Sequence, residues 1–110
     1  MATTTVPTTI RPKAIEMAKG LGLERELDAI LEQGCRMIKG LRCFEVDADT
    51  ESSMGPTIDI WARVDPACEG DPSHQRWWGW RIDQYGPEVA AHFLVVIDPD
   101  VEGRCADGNS

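Results

Sequence analysis

Two runs of period-two alternation dominate this chain: Leu41-Arg-Cys-Phe-Glu-Val-Asp-Ala-Asp49 and Pro56-Thr-Ile-Asp-Ile-Trp-Ala-Arg-Val64. Successive side chains of a strand point to opposite faces, so this alternation predicts two strands, each with one face buried. Phe44, Val46 and Ala48 share one face of the first, opposite Cys43, Glu45, Asp47 and Asp49. In the second, Ile58, Ile60, Ala62 and Val64 lie opposite Thr57, Asp59, Trp61 and Arg63. The break between them carries Ser52, Ser53, Gly55 and Pro56, which are turn residues, so the pair is expected to be a hairpin.

The apolar face of a hairpin needs covering, and the flanking segments have helical periodicity. Leu23, Leu27, Ile30, Leu31, Gly34 and Ile38 fall at helical spacing, with Glu24 and Glu26 near the start and Arg36 and Lys39 near the end, as the helix dipole favours. Gly40 is expected to stop this helix. Gly34 inside it costs about 1 kcal/mol against Ala and marks a close approach to the sheet. A shorter helix over Lys13 to Lys19 follows Pro12, with Gly20 as its expected C-cap. A third begins near Asp71 or Ser73, carries Trp77, Trp78, Trp80, Ile82 and Tyr85, and breaks at Gly86-Pro87. Phe93-Leu-Val-Val-Ile97 then reads as a strand apolar on both faces.

These elements predict a small two-layer α+β domain, order α-(α)-β-β-α-β, with helices on one face. The crossover helix makes the last strand parallel to its predecessor. Placing it beside the first strand gives a three-stranded sheet of order 2-1-3. Residues 1-12, rich in Thr with Pro7 and Pro12, read as a flexible N-terminal arm; 13-99 form the single domain; 100-110 form a flexible acidic tail.

A chain of 110 residues with net charge −8 lacks the clustered Lys and Arg that phosphate-backbone binding requires, which argues against a nucleic-acid partner. The charge suits a basic protein partner, cation binding or solubility. No apolar run reaches membrane-spanning length and no secretion signal is evident, so the expected location is cytoplasmic, without a membrane partner. Cys35, Cys43, Cys68 and Cys105 are widely spaced and read as thiols in a reducing compartment.

The residues with chemical potential lie on the outward face of the hairpin. Glu45, Asp47, Asp49 and Asp59 form a carboxylate stripe that could take a divalent cation or act as an acid-base pair; the simpler account is the polar side of a half-buried sheet. Trp61 stands among them. In the aromatic cluster, a stripe of Trp78, Ile82 and Tyr85 turned inward leaves Trp77 and Trp80 toward the flank. Asp98 to Gly103 imitates the start of a calcium loop, but position 12 would be Asn109 and no helix follows. His74 and His92 match no zinc or nucleophile spacing.

The segments Gly22-Leu-Glu-Arg-Glu-Leu27 and Pro87-Glu88-Val89, set about a strand pair, resemble a group of small uncharacterised bacterial α+β proteins. The resemblance implies an accessory or antitoxin-like subunit and lends no functional residues. Taken together, these features suggest a non-enzymatic, acidic module that engages a basic protein partner through Glu45, Asp47, Asp49, Asp59, Trp61 and Trp77, with no catalytic residues, metal or cofactor. The alternatives are a small metal-dependent or acid-base enzyme using the same carboxylates, or a homo-oligomer paired along the edge of the second hairpin strand.

Overall fold

A computed structural model describes residues 6–51 and 55–101 of the chain. The elements run β1 (Thr8–Ile10), α1 (Pro12–Leu21), α2 (Glu24–Met37), β2 (Leu41–Asp49), β3 (Thr57–Val64), a 3-10 turn (Pro66–Cys68), α3 (Ser73–Ala90) and β4 (Phe93–Pro99). The expected hairpin is present: β2 and β3 pair antiparallel, with Glu45 opposite Trp61 and Asp47 opposite Asp59. The predicted apolar face is the core. Phe44, Val46, Ile58, Ile60, Ala62 and Val64 are buried beneath Ala14, Ala18, Leu27, Ile30 and Leu31 of the helices.

The sheet corrects the expected three strands of order 2-1-3. It has four strands in the order β1-β2-β3-β4, mixed in direction. Part of the expected N-terminal arm supplies the extra strand: β1 runs parallel to β2, held by Phe44 N–H donating to Pro7 O (3.1 Å) and Arg11 N–H to Val46 O (2.9 Å). With β1 on the outer edge of β2, the only edge left for β4 is that of β3, where it pairs in parallel as expected. The chain is thus two parallel β-α-β crossovers, β1-α1-α2-β2 and β3-α3-β4, joined through the hairpin. At the other end, Asp100 continues the ladder, its N–H bonding Val64 O at 2.8 Å; residues 1–5 and 102–110 lie outside the described residues.

Helix boundaries follow local chemistry. Gly22, not Gly20, caps α1, because Gly22 has the left-handed conformation (φ 70°) and its N–H bonds back to Lys19 O. Gly40 also needs a positive φ (76°), and a Cβ there would sit 2.7 Å from Cys68 Sγ. Gly34 makes the close approach its position suggested. A Cβ on it would stand 2.7 Å from Phe44 Cζ and 3.1 Å from Trp77 Cε2. The space left by that missing methyl lets the Trp77 indole lie on α2 and donate from Nε1 to Ile30 O at 2.9 Å.

This contact sets the rotation of α3 and corrects the expected aromatic stripe. Ser73, Trp77 and Arg81 are buried at four-residue spacing, while Ile82 is exposed. Lys39 N–H donates to Ser73 Oγ (2.8 Å), which ties the start of α3 to the α2–β2 turn. The helix is interrupted at Gly86 (φ 83°, ψ 164°), beside Pro87. Arg81 bridges the interruption: its guanidinium stacks 3.2 Å from the Trp78 ring centre and Nη1 donates to Ala90 O. Burial pushes Arg81 down to about 10.

Among the described residues, Cys35 and Cys68 are free thiols, whereas Cys43 is disulfide-bonded. That overturns the expectation of thiols throughout; Cys105 lies outside the described residues. No described helix is long and apolar enough to cross a membrane.

Candidate functional site

All three helices pack on one face of the sheet, and among the described residues no helix covers the other. The register of β1 to β4 arranges the open face in rows. Thr9, Glu45, Trp61 and Val96 lie side by side in one; Asp47, Asp59 and Leu94 form the next; Arg63 and Asp98 stand together on the other side of the Trp61 row. Trp61 (37% exposed), Leu94 (46%) and Val96 (38%) make an apolar patch on β3 and β4 beside the carboxylates.

The expected carboxylate stripe divides into two groups with different electrostatics. Glu45 is committed to Arg63, which is largely buried: Nε donates at 3.2 Å and Nη2 at 2.5 Å to Glu45 Oε1, while Nη1 pairs with Asp98. The Glu45 hydrogen bond holds the Arg63 guanidinium more firmly protonated than usual, against the opposing effect of its burial. Arg42 similarly pairs with Asp65 and Asp100 at 3.4 Å. A cleft of about 460 Å³ opens over this side, lined by Glu45, Trp61, Arg63, Asp98 and Val101.

Asp47, Asp49 and Asp59 form the second group, and none of the ion pairs among the described residues engages them. Among the described residues their oxygens accept short-range bonds: Asp47 Oδ1 from Ala48 N–H (2.8 Å), Asp49 Oδ1 from Glu51 N–H (2.9 Å), and Asp59 Oδ1 from the Thr57 hydroxyl (3.0 Å). Burial raises the Asp59 carboxyl above the usual range, and the negative charges of Asp49 and Asp47 raise it further, against a lowering by the Thr57 bond.

Trp77 does not belong to this surface. It is fully buried, its ring 5.8 Å from Phe44 and 6.2 Å from Trp78, so its expected place at an interface is withdrawn. All three tryptophans of the cluster are apolar, and the space above Gly34 decides which one enters. Leu94 and Val96 are the surface residues that alternation did not single out; the signal was a last strand apolar on both faces. His74 and His92 each bond a backbone carbonyl, Glu69 O (3.2 Å) and Pro56 O (3.1 Å). Among the described residues no group of three or more His, Cys, Asp and Glu side chains is disposed to hold a metal ion.

The chain matches no protein-family model, no curated protein and no solved structure in the comparisons made.

Proposed function

We propose that this chain is a binding module that docks a basic protein segment on the open face of its sheet. The observation that carries this reading is the half-exposed Trp61 in the row beside Asp47 and Asp59, with Asp49 in the row beyond, three carboxylates with no ion-pair partner among the described residues. A Lys or Arg side chain placed between the aspartates would relieve their mutual repulsion, and Trp61 with Val96 would supply the apolar contact. Long-range attraction to a chain of net charge −8 would speed the encounter, and burial of Trp61 would slow release. Arg63 has a positioning part, holding Glu45 and Asp98 beside Trp61.

The test is a titration with a lysine-rich peptide, followed by backbone amide shifts at low and high salt. Shifts centred on Asp47, Asp59 and Trp61 that fade with salt support the reading. In the Asp47→Asn/Asp59→Asn variant they should weaken severalfold. Shifts on the helical face, or an affinity indifferent to both salt and substitution, would refute it.

A further inference from the structure

We infer that two copies of this chain pair along β4, antiparallel and centred on Val95, so that their two four-stranded sheets become one. β4 is an edge strand whose outer side has no sheet partner among the described residues. Its hydrogen-bonding direction is set by the bonds that bracket it. Ile58 N–H donates to His92 O at 2.7 Å, and Asp100 N–H donates to Val64 O at 2.8 Å. In a parallel ladder alternate residues bond the neighbour, so Leu94, Val96 and Asp98 face β3. Phe93, Val95 and Ile97 therefore turn their N–H and C=O groups outward.

Natural sheets protect such an edge with short length, proline, charge or a bulge. The opposite edge is protected in this way: β1 has three residues and follows Pro7. β4 has seven residues, and Phe93 to Ile97 contains no charge, proline or glycine. It is also apolar on both faces. Leu94 and Val96 are exposed on the open side, and Val95 and Ile97 are only partly covered on the helical side.

Two features select a second copy as the occupant. A net charge of −8 on every chain sets like charges against each other over most of the surface, and Phe93 to Ile97 is a neutral stretch where two such chains can meet without like charges facing. The stretch is also self-complementary about a two-fold axis at Val95. Phe93 then exchanges backbone bonds with the partner's Ile97, and Val95 with the partner's Val95. Leu94 packs against the partner's Val96 on the open face. Pro99, which has no N–H to donate, falls beyond the paired segment. The edge first expected to self-associate, that of the second hairpin strand, is unavailable because β3 is interior.

Light scattering on the full chain across a concentration series should show a species of twice the 12.2 kDa chain mass. Amide hydrogen exchange should then show protection of Phe93, Val95 and Ile97 that grows with concentration, while Leu94, Val96 and Asp98 are protected throughout. Val95→Pro removes an outward N–H from each copy, spares the β3 ladder and leaves the open face unchanged. It should raise the dimer dissociation constant at least about tenfold. Leu94→Lys, at an exposed position that leaves the backbone intact and lies outside the apolar contact assigned to the peptide, should weaken pairing in the same direction and covers the case in which the proline variant misfolds. A monomer at every concentration overturns the proposal. So does a dimer indifferent to both folded variants, protection of the three amides that does not depend on concentration, or an edge that binds an extended peptide but no second copy. Since β4 pairing leaves Asp47 and Asp59 untouched, it can fail while the peptide titration succeeds, and the reverse.

Discussion

Replacing Gly34 by Ala tests the contact that orients the helical layer. In an isolated helix the change would stabilise by about 1 kcal/mol. Here the added methyl would stand 2.7 Å from Phe44 Cζ and 3.2 Å from Trp77 Nε1, and neither ring has room to retreat, since both are fully buried. Overpacking of this kind costs about 1–3 kcal/mol. Displacing the indole also strains or breaks its bond to Ile30 O, worth about 1 kcal/mol. The losses exceed the gain, so Gly34→Ala should destabilise by about 1–3 kcal/mol in urea unfolding and lower Tm by about 4 °C for each kcal/mol. Gly79→Ala is the matched control. It lies within α3 with nothing inside 4 Å of the added atom, and should stabilise by about 0.5–1 kcal/mol. Phe44→Leu, which removes Cζ, should cost less in the Gly34→Ala background than alone, by about 1 kcal/mol or more. A Gly34→Ala protein as stable as the parent, or a cycle without coupling, would refute the argument.

Three further outcomes are expected. The raised pKa of Asp59 means that the folded chain holds this proton more tightly than the unfolded one, so the ionised carboxylate opposes folding above its folded pKa and ceases to do so below its unfolded value. Asp59→Asn should therefore raise the urea midpoint at neutral pH, with the advantage shrinking as pH falls through the carboxylate range; an advantage that grows toward acid would reverse the sign. Arg63→Met leaves Glu45 and Asp98 without their shared cation, and because both carboxylates keep partial access to water the cost should be about 1–3 kcal/mol by urea unfolding. An unchanged midpoint would show that the triad contributes nothing net. Alkylation of the denatured, unreduced chain should modify Cys35 and Cys68 and spare Cys43 until a reductant is added, as read by peptide mass mapping.

Among the described residues, a sheet edge without a partner strand, a carboxylate group outside the ion pairs and a half-exposed tryptophan all lie on the part of the sheet that the helices leave alone. The core face is closed by residues at 0–7% exposure, and Arg81 is folded into the helical layer on Trp78. Variation in the interior should therefore be read as stability, and, under the proposed docking function, variation at Asp47, Asp59, Trp61, Leu94 or Val96 as association.

Local pattern alone determined the hairpin, the buried faces of β2 and β3, the apolar side of α2 and the close approach at Gly34. Each is a periodicity or a missing side chain, and these act within a few residues of sequence. It also brought Asp47, Asp59 and Trp61 to one face, because register follows from the alternation. Tertiary structure decided the rest. Strand order turned on β1, a Thr-rich strand that joins mainly through backbone groups and leaves little trace in side-chain pattern. The choice among Trp77, Trp78 and Trp80 turned on a space created by Gly34, more than forty residues away in the chain. The division of the carboxylates turned on Arg63 bonding Glu45 and not Asp47 or Asp59, with its other side taken by Asp98, a partner that only the placement of β4 supplies. Periodicity states which face is apolar; which edge is free and which charge is paired depend on contacts between elements distant in sequence.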